Sequence, residues 1–156
     1  MRPIATAALI CALVSAGCSP RRIPGTEISD TSDTRAVVAL IEAYRQAAER
    51  RDARAVMTLV SQHYFDEGGT PDPGDDVDYK ALGKRLSEDY ARVAALRLSI
   101  GVKKIDVQDD HASAYVFYDE RYRVSTKAGE VAKSASDEHR MSFVREGGAW
   151  RFLAGL

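Results

Sequence analysis

Beyond Asp33 apolar residues recur at helical spacing: Val37, Ile41, Tyr44 and Ala48 lie three or four apart, with Leu40 and Ala47 widening the stripe. A face of this kind is stable only when buried, so a helix is predicted, with Ser32 or Asp33 as its N-cap. Arg50 and Arg51 suit its C-terminus, and Asp52 can cap a second helix whose apolar members are Val56, Leu59 and Val60. A third helix is predicted over 78–96, with Tyr79, Leu82, Leu86, Tyr90 and Val93 on one face. The period then shortens to two. Leu98, Ile100 and Val102 alternate, and Lys103 and Lys104 slip the phase before Ile105 and Val107, which predicts a bulge. Further strands are predicted over 112–124, 138–145 and 150–153, with turns at 127–130 and 146–148. Helices gathered first and an antiparallel meander after them predict an α+β domain, three helices packed on a sheet of about four strands.

The N-terminus follows another pattern. Arg2, the apolar run from Ile4 to Val14 and the small residues Ser15, Ala16 and Gly17 read as a secretory signal over 1–17. With its small residues, 4–17, the stretch is about 14 residues, too short for a stable span of roughly 20. Both cysteines, Cys11 and Cys18, fall in or at the edge of this segment, so no disulfide is expected in the folded domain. Leu13, Val14, Ser15, Ala16, Gly17 and Cys18 together resemble the lipobox of bacterial lipoproteins. That resemblance implies cleavage before Cys18, lipidation of its thiol by palmitate-type chains, and anchorage in the bacterial cell envelope. Ser19 resembles the sorting residue for the outer membrane, facing periplasm or cell surface. Residues 18–31, polar and broken by Pro20, Pro24 and Gly25, read as a flexible tether, and 32–156 as the domain.

The whole chain has 156 residues, 22 Lys and Arg against 23 Asp and Glu, and a net charge of −1. With no basic surplus to neutralise phosphates, nucleic acid is not an expected partner. His63, His111 and His139 lack metal-ligand spacing, no phosphate-binding glycine motif or nucleophile elbow occurs, and no cofactor is expected.

The helix carrying Ala43 and Tyr44, the second-helix segment 48–61 and the closing stretch 146–156 resemble the nuclear transport factor 2-like superfamily, which includes SnoaL-like and ketosteroid-isomerase-like proteins. The resemblance spans roughly 33–156. It implies a strongly curved sheet wrapped around the helices as a cone, a cystatin-like roll with a pocket, and often a dimer through the outer sheet face.

On the strand from Ala112, Glu120 interrupts an otherwise apolar face. Folding the hairpin about Ala128 and Gly129 brings His139 near the level of Tyr118 and Glu120. Glu120, His139 and Tyr118 are therefore the candidate catalytic set, a carboxylate and imidazole for proton transfer with a phenol as donor. Tyr44, Tyr64, Tyr90, Tyr122 and Trp150 are candidates to line a pocket for a small apolar ligand. Tyr115, Phe117, Val144 and Leu153 face the other side, a candidate homodimer surface. Asp66, Asp72, Asp75, Asp76 and Asp78 lie in a loop without bases. They could offer oxygen ligands to calcium, but their order does not match a calcium-loop pattern, and helix capping by Asp76 or Asp78 is the favoured reading. The sequence reads best as a lipid-anchored envelope protein with a non-catalytic ligand-binding or protein-interaction domain. The alternative is an acid–base isomerase, dehydratase or cyclase.

Overall fold

A computed structural model describes residues 21–69 and 72–156. Helix α1 (Ser32–Glu49) lays Val37, Leu40, Ile41, Tyr44, Ala47 and Ala48 into the core, as the stripe requires. Its cap is Thr31 rather than Ser32 or Asp33. The Thr31 hydroxyl accepts from the Thr34 N–H at 3.1 Å, and the Thr34 hydroxyl accepts from the Thr31 N–H at 3.0 Å. This reciprocal box needs an accepting side chain three residues after the cap, and Arg35 and Ala36, which stand there for Ser32 and Asp33, cannot accept.

Arg51 turns the chain with φ of 56° and donates to the Val93 carbonyl at 2.6 Å, and Asp52 caps helix α2 (Ala53–Thr58). Leu59 and Val60 do not continue that helix. The Leu59 carbonyl accepts from the Phe152 N–H and the Ser61 N–H donates to the Phe152 carbonyl, both at 2.9 Å, so pairing to the last strand wins over a further helical turn. Helix α3 (Tyr79–Arg92) is capped by Asp78, and it ends four residues before the predicted Leu96. Val93 pairs with Val124 and begins the sheet instead.

A short ribbon joins β1 (Phe65–Asp66) to β2 (Val77–Asp78). The main sheet is an antiparallel meander of β3 (Val93–Gln108), β4 (His111–Thr126), β5 (Gly129–Glu146) and β6 (Ala149–Ala154), in that order. Its register slips between Val102 and Lys104, where the lysine pair predicted a bulge, and again between Val93 and Ala95. Such slips bend and twist a sheet, here around the helices. Ala112, Ala114, Val116, Met141, Phe143 and Phe152 form the sheet side of the core. Gly147 and Gly148, both at positive φ, make the β5–β6 turn.

β5 is much longer than β6. β6 pairs only with the stretch from Ser142 to Glu146, whereas β4 pairs with β5 along its whole length up to Val144. The tight turns place Thr126 opposite Gly129 and Glu146 opposite Ala149. Odd-numbered residues of β5 therefore bond back to β4, and even-numbered ones direct N–H and C=O to the β6 side.

Part of the expected tether is folded. In 21–30 the Asp30 N–H donates to the Arg21 carbonyl at 2.6 Å and the Ile23 N–H to the Ile28 carbonyl at 2.9 Å, with Gly25 at positive φ in the turn. Ile28 is buried, and the Thr34 hydroxyl donates to the Ser29 carbonyl at 2.5 Å. A buried isoleucine and these bonds convert a Pro/Gly segment into a docked loop. The signal segment, Cys18 and Ser19 lie outside the described residues. No helix among the described residues is long and apolar enough to cross a membrane.

Candidate functional site

A cavity of about 500 Å³ opens between the helices and the concave face of the sheet. Helix α3 supplies Leu82, Leu86 and Tyr90, one above another at four-residue spacing, and α1 supplies Tyr44. From the sheet come Leu96, Tyr118, Glu120 and Tyr122, the β4 residues sharing a face because they alternate along the strand. Arg85, Asp89, Arg92 and Lys133 place charges among the lining residues, so an apolar and phenolic interior is joined to a charged margin.

Within it the Tyr118 hydroxyl donates to Glu120 Oε2 at 3.4 Å, a long bond. Burial raises the Glu120 carboxyl above its ordinary value, and the bond from Tyr118 opposes that rise without cancelling it. Burial likewise pushes the hydroxyls of Tyr44, Tyr90 and Tyr118 upward, with the Glu120 charge adding to each. The phenols therefore remain donors throughout the ordinary pH range, and the carboxyl is held closer to its protonated form than a solvated glutamate. Such a group of donors can hydrogen-bond a carbonyl or hydroxyl oxygen on an otherwise apolar molecule.

The expected Glu120 and His139 couple is not formed as a direct pair. Glu120 lies opposite Ala135 and His139 opposite Val116, about 13 Å apart along the strands, with Tyr118 between their levels. The reason is the turn: it is made by Lys127 and Ala128, with Gly129 already in β5, so the hairpin register differs by two residues from a fold about Ala128 and Gly129. His139 instead packs its ring against Tyr118, centroids 5.6 Å apart.

The aromatic candidates divide. Tyr44, Tyr90 and Tyr122 line the cavity with Tyr118. Tyr64 does not. It is buried with its hydroxyl within 3.2 Å of the Leu156 carbonyl and 3.3 Å of Asp66, and burial pushes it up to about 12. Trp150 also lies elsewhere, beneath the Arg145 guanidinium at 4.6 Å and donating to Asp33 at 3.4 Å. From the sequence, the spacing of Leu82 and Leu86 marks only a buried helix face and Leu96 reads as the helix end, so none of the three stands out as a lining residue.

Tyr115 and Phe117 stand 44% and 41% exposed on the convex face, with Lys104 over the Tyr115 ring at 5.9 Å, while Val144 and Leu153 are half-buried. Among the acids, Asp78 caps α3 and Asp66 accepts from the Gly155 N–H at 2.7 Å and the Gly68 N–H at 3.1 Å. Asp72 accepts from the Gly74 N–H at 2.9 Å. Among the described residues no three His, Cys, Asp or Glu side chains converge as a metal site.

The burial of Glu120 yields a pH-dependent expectation. The folded protein holds this proton more tightly than the unfolded chain, whose value is 4.5, so the carboxyl's favourable contribution is complete below that value and is lost as pH rises through the folded pKa. Glu120→Gln is therefore expected to melt higher than the parent at neutral pH and at the same temperature in acid. Melting curves across the acid-to-neutral range check this, and a gap independent of pH would contradict it.

The fold has solved counterparts. The chain is similar to a proposed scytalone dehydratase from Novosphingobium aromaticivorans, with a TM-score of 0.67 at 14% identity over 78% of this chain and 80% of that one. It is also similar to a ketosteroid isomerase-like protein from Erwinia carotovora atroseptica, with a TM-score of 0.62 at 18% identity over 80% and 94%. A conserved protein from Planctomyces limnophilus gives 0.66 at 13% over 78% and 91%. At these identities the likeness concerns the fold. The architecture, helices packed on a curved antiparallel sheet, is the nuclear transport factor 2-like fold. No family model and no curated protein matches the chain by sequence.

Proposed function

We propose that this protein is a lipid-anchored envelope protein whose cone binds a small, largely apolar ligand bearing a carbonyl or hydroxyl oxygen. The observation that carries the ligand reading is the cavity of about 500 Å³ in which leucines surround Tyr44, Tyr90, Tyr118 and Glu120. That volume lies within the usual range for small-molecule sites, and apolar walls with few polar groups are the usual composition. The anchor rests on the lipobox-like run ending at Cys18.

2-Naphthol, a fluorescent aromatic with one hydroxyl, is a suitable probe. Titration of the full chain is expected to show saturable binding, weakened about fivefold by Tyr118→Phe through loss of one hydrogen bond. Leu86→Arg should abolish it by placing a charge in the apolar wall. Equal binding by the Leu86→Arg protein would overturn the assignment of the cavity. For the anchor, cells fed an alkyne fatty acid should label the parent chain and not Cys18→Ser; equal labelling removes the lipid reading.

A second reading is favoured by one observation, the raised carboxyl of Glu120 beside Tyr118. A half-buried carboxyl next to a phenol suits proton transfer beside a carbonyl, as in isomerases and dehydratases. The dehydratase and isomerase-like names of two fold neighbours accord with it. Proton exchange at the carbon beside the carbonyl of 2-tetralone, followed in deuterated water, separates the readings: turnover lost in Glu120→Gln supports an enzyme, and no turnover by the parent supports a binding protein.

A further inference from the structure

Beyond Met141, towards the turn, β5 runs without a partner on its β6 side. Among the described residues no strand pairs there, and 129–138 are exposed throughout. The edge is a row of N–H and C=O groups from Glu130, Ala132, Ser134, Ser136 and Glu138, by the alternation described above. One of these, the Glu138 N–H, is satisfied by the side chain of the preceding Asp137 at 2.7 Å. An open, extended edge of this length is a template for another strand.

We propose that two copies of this chain join antiparallel along this edge, centred on Ala135, to make one continuous eight-stranded sheet. The charges select the occupant and the register. In a two-fold pairing about Ala135, Lys133 of each copy meets Asp137 of the other, on the concave face, and Glu130 lies level with Arg140, on the convex face. Lys133, Asp137 and Arg140 make no ion pair within the chain among the described residues. A shift of two residues in one direction sets Glu130 against Glu138, and in the other sets Lys133 against His139. Only the central register matches opposite charges twice over, which is how cross-strand pairs specify alignment. The pairing also keeps even residues opposite even ones, so the outward N–H and C=O groups of the two edges meet. As a two-fold contact it is closed and stops at two copies. Lys133 lines the cavity, so the same contact brings Asp137 of the second copy to the cavity margin.

The test uses the full chain with Cys11→Ser and Cys18→Ser, so that an added cysteine is the sole thiol. Ala135 meets itself in a non-hydrogen-bonded pair, whose Cα separation of about 4.5 Å suits a disulfide. Ala135→Cys is expected to oxidise to a covalent dimer, and Tyr115→Cys, on the convex face, is expected not to. Lys133→Asp, which sets like charges together twice, is expected to raise the dimer dissociation constant in sedimentation by about tenfold or more, and Lys133→Asp with Asp137→Lys to restore it. A dimer that crosslinks through Tyr115→Cys instead, a dissociation constant indifferent to the charge reversals, or a chain that stays monomeric because its own N-terminal segment covers the edge would overturn the proposal.

Discussion

Phe152→Ala is expected to destabilise the domain by about 3–5 kcal/mol, the usual cost of emptying a phenylalanine site in a close-packed core. Phe152 has no exposed surface and joins the two layers: its ring meets the edge of Tyr44 on α1 at 5.5 Å and Phe143 on β5 at 5.0 Å. The backbone of the same residue holds the chain after α2 through Leu59 and Ser61. Those bonds survive truncation, so the loss should fall on packing and leave the topology intact. Thermal unfolding should show a fall of roughly 10–20 °C, given about 4 °C per kcal/mol for a domain near this size. Phe152→Leu, which keeps most of the volume, should cost under about 1.5 kcal/mol. Equal losses for both variants would mean that the site is not filled as described.

The second large effect is expected at Gly155. A methyl group there would stand 2.5 Å from the Arg140 carbonyl oxygen and 2.8 Å from the Met141 Cα, all backbone atoms of β5 that cannot swing aside. The residue also has φ of +93°, which a side chain disfavours. Gly155→Ala should cost about 2–4 kcal/mol, crowding and backbone strain each contributing within their usual 1–3 kcal/mol. Gly148→Ala is the control, because φ is +82° there and no atom lies within 4 Å of the added methyl. The difference between the two variants in chemical denaturation isolates the crowding. Displacement at Gly155 should also loosen its neighbour Leu156, which lines the cavity, so 2-naphthol affinity should fall with it.

Much of this architecture is legible in the residues, because patterns of burial are local. The α1 stripe, the Asp52 cap, the phase slip at Lys103 and Lys104 and the glycine pair after Glu146 each read directly, and the α3 cap is narrowed to Asp76 or Asp78. Glu120 also stands out, as a charge on a run of apolar positions. Where local signals compete, the sequence misleads. Val93 and Leu96 continue the helical spacing of α3, yet Val93 prefers Val124 across the sheet, a contact 31 positions away in the chain and invisible to any window. Gly129 attracts the turn in the reading of 127–130, and the two-residue error this introduces is enough to set His139 opposite Tyr118 rather than Val116. Aromatic type alone does not separate Tyr90, which faces the cavity, from Tyr64, whose hydroxyl is claimed by the Leu156 backbone.

Were Cys18 lipidated as proposed, the docked loop at 21–30 would set how far the cone could wander from a membrane. A flexible segment of 14 residues would let it roam over about 20 Å. With Arg21 already bonded to Asp30, three Cα steps lie between Cys18 and Arg21, at most about 11 Å. A lipid on Cys18 would thus moor the domain against the bilayer surface with little freedom to tumble, its cavity sampling what dissolves in or leaves the lipid rather than the open solution. Neighbouring copies would then meet as swimmers in a plane, where encounter depends on surface density.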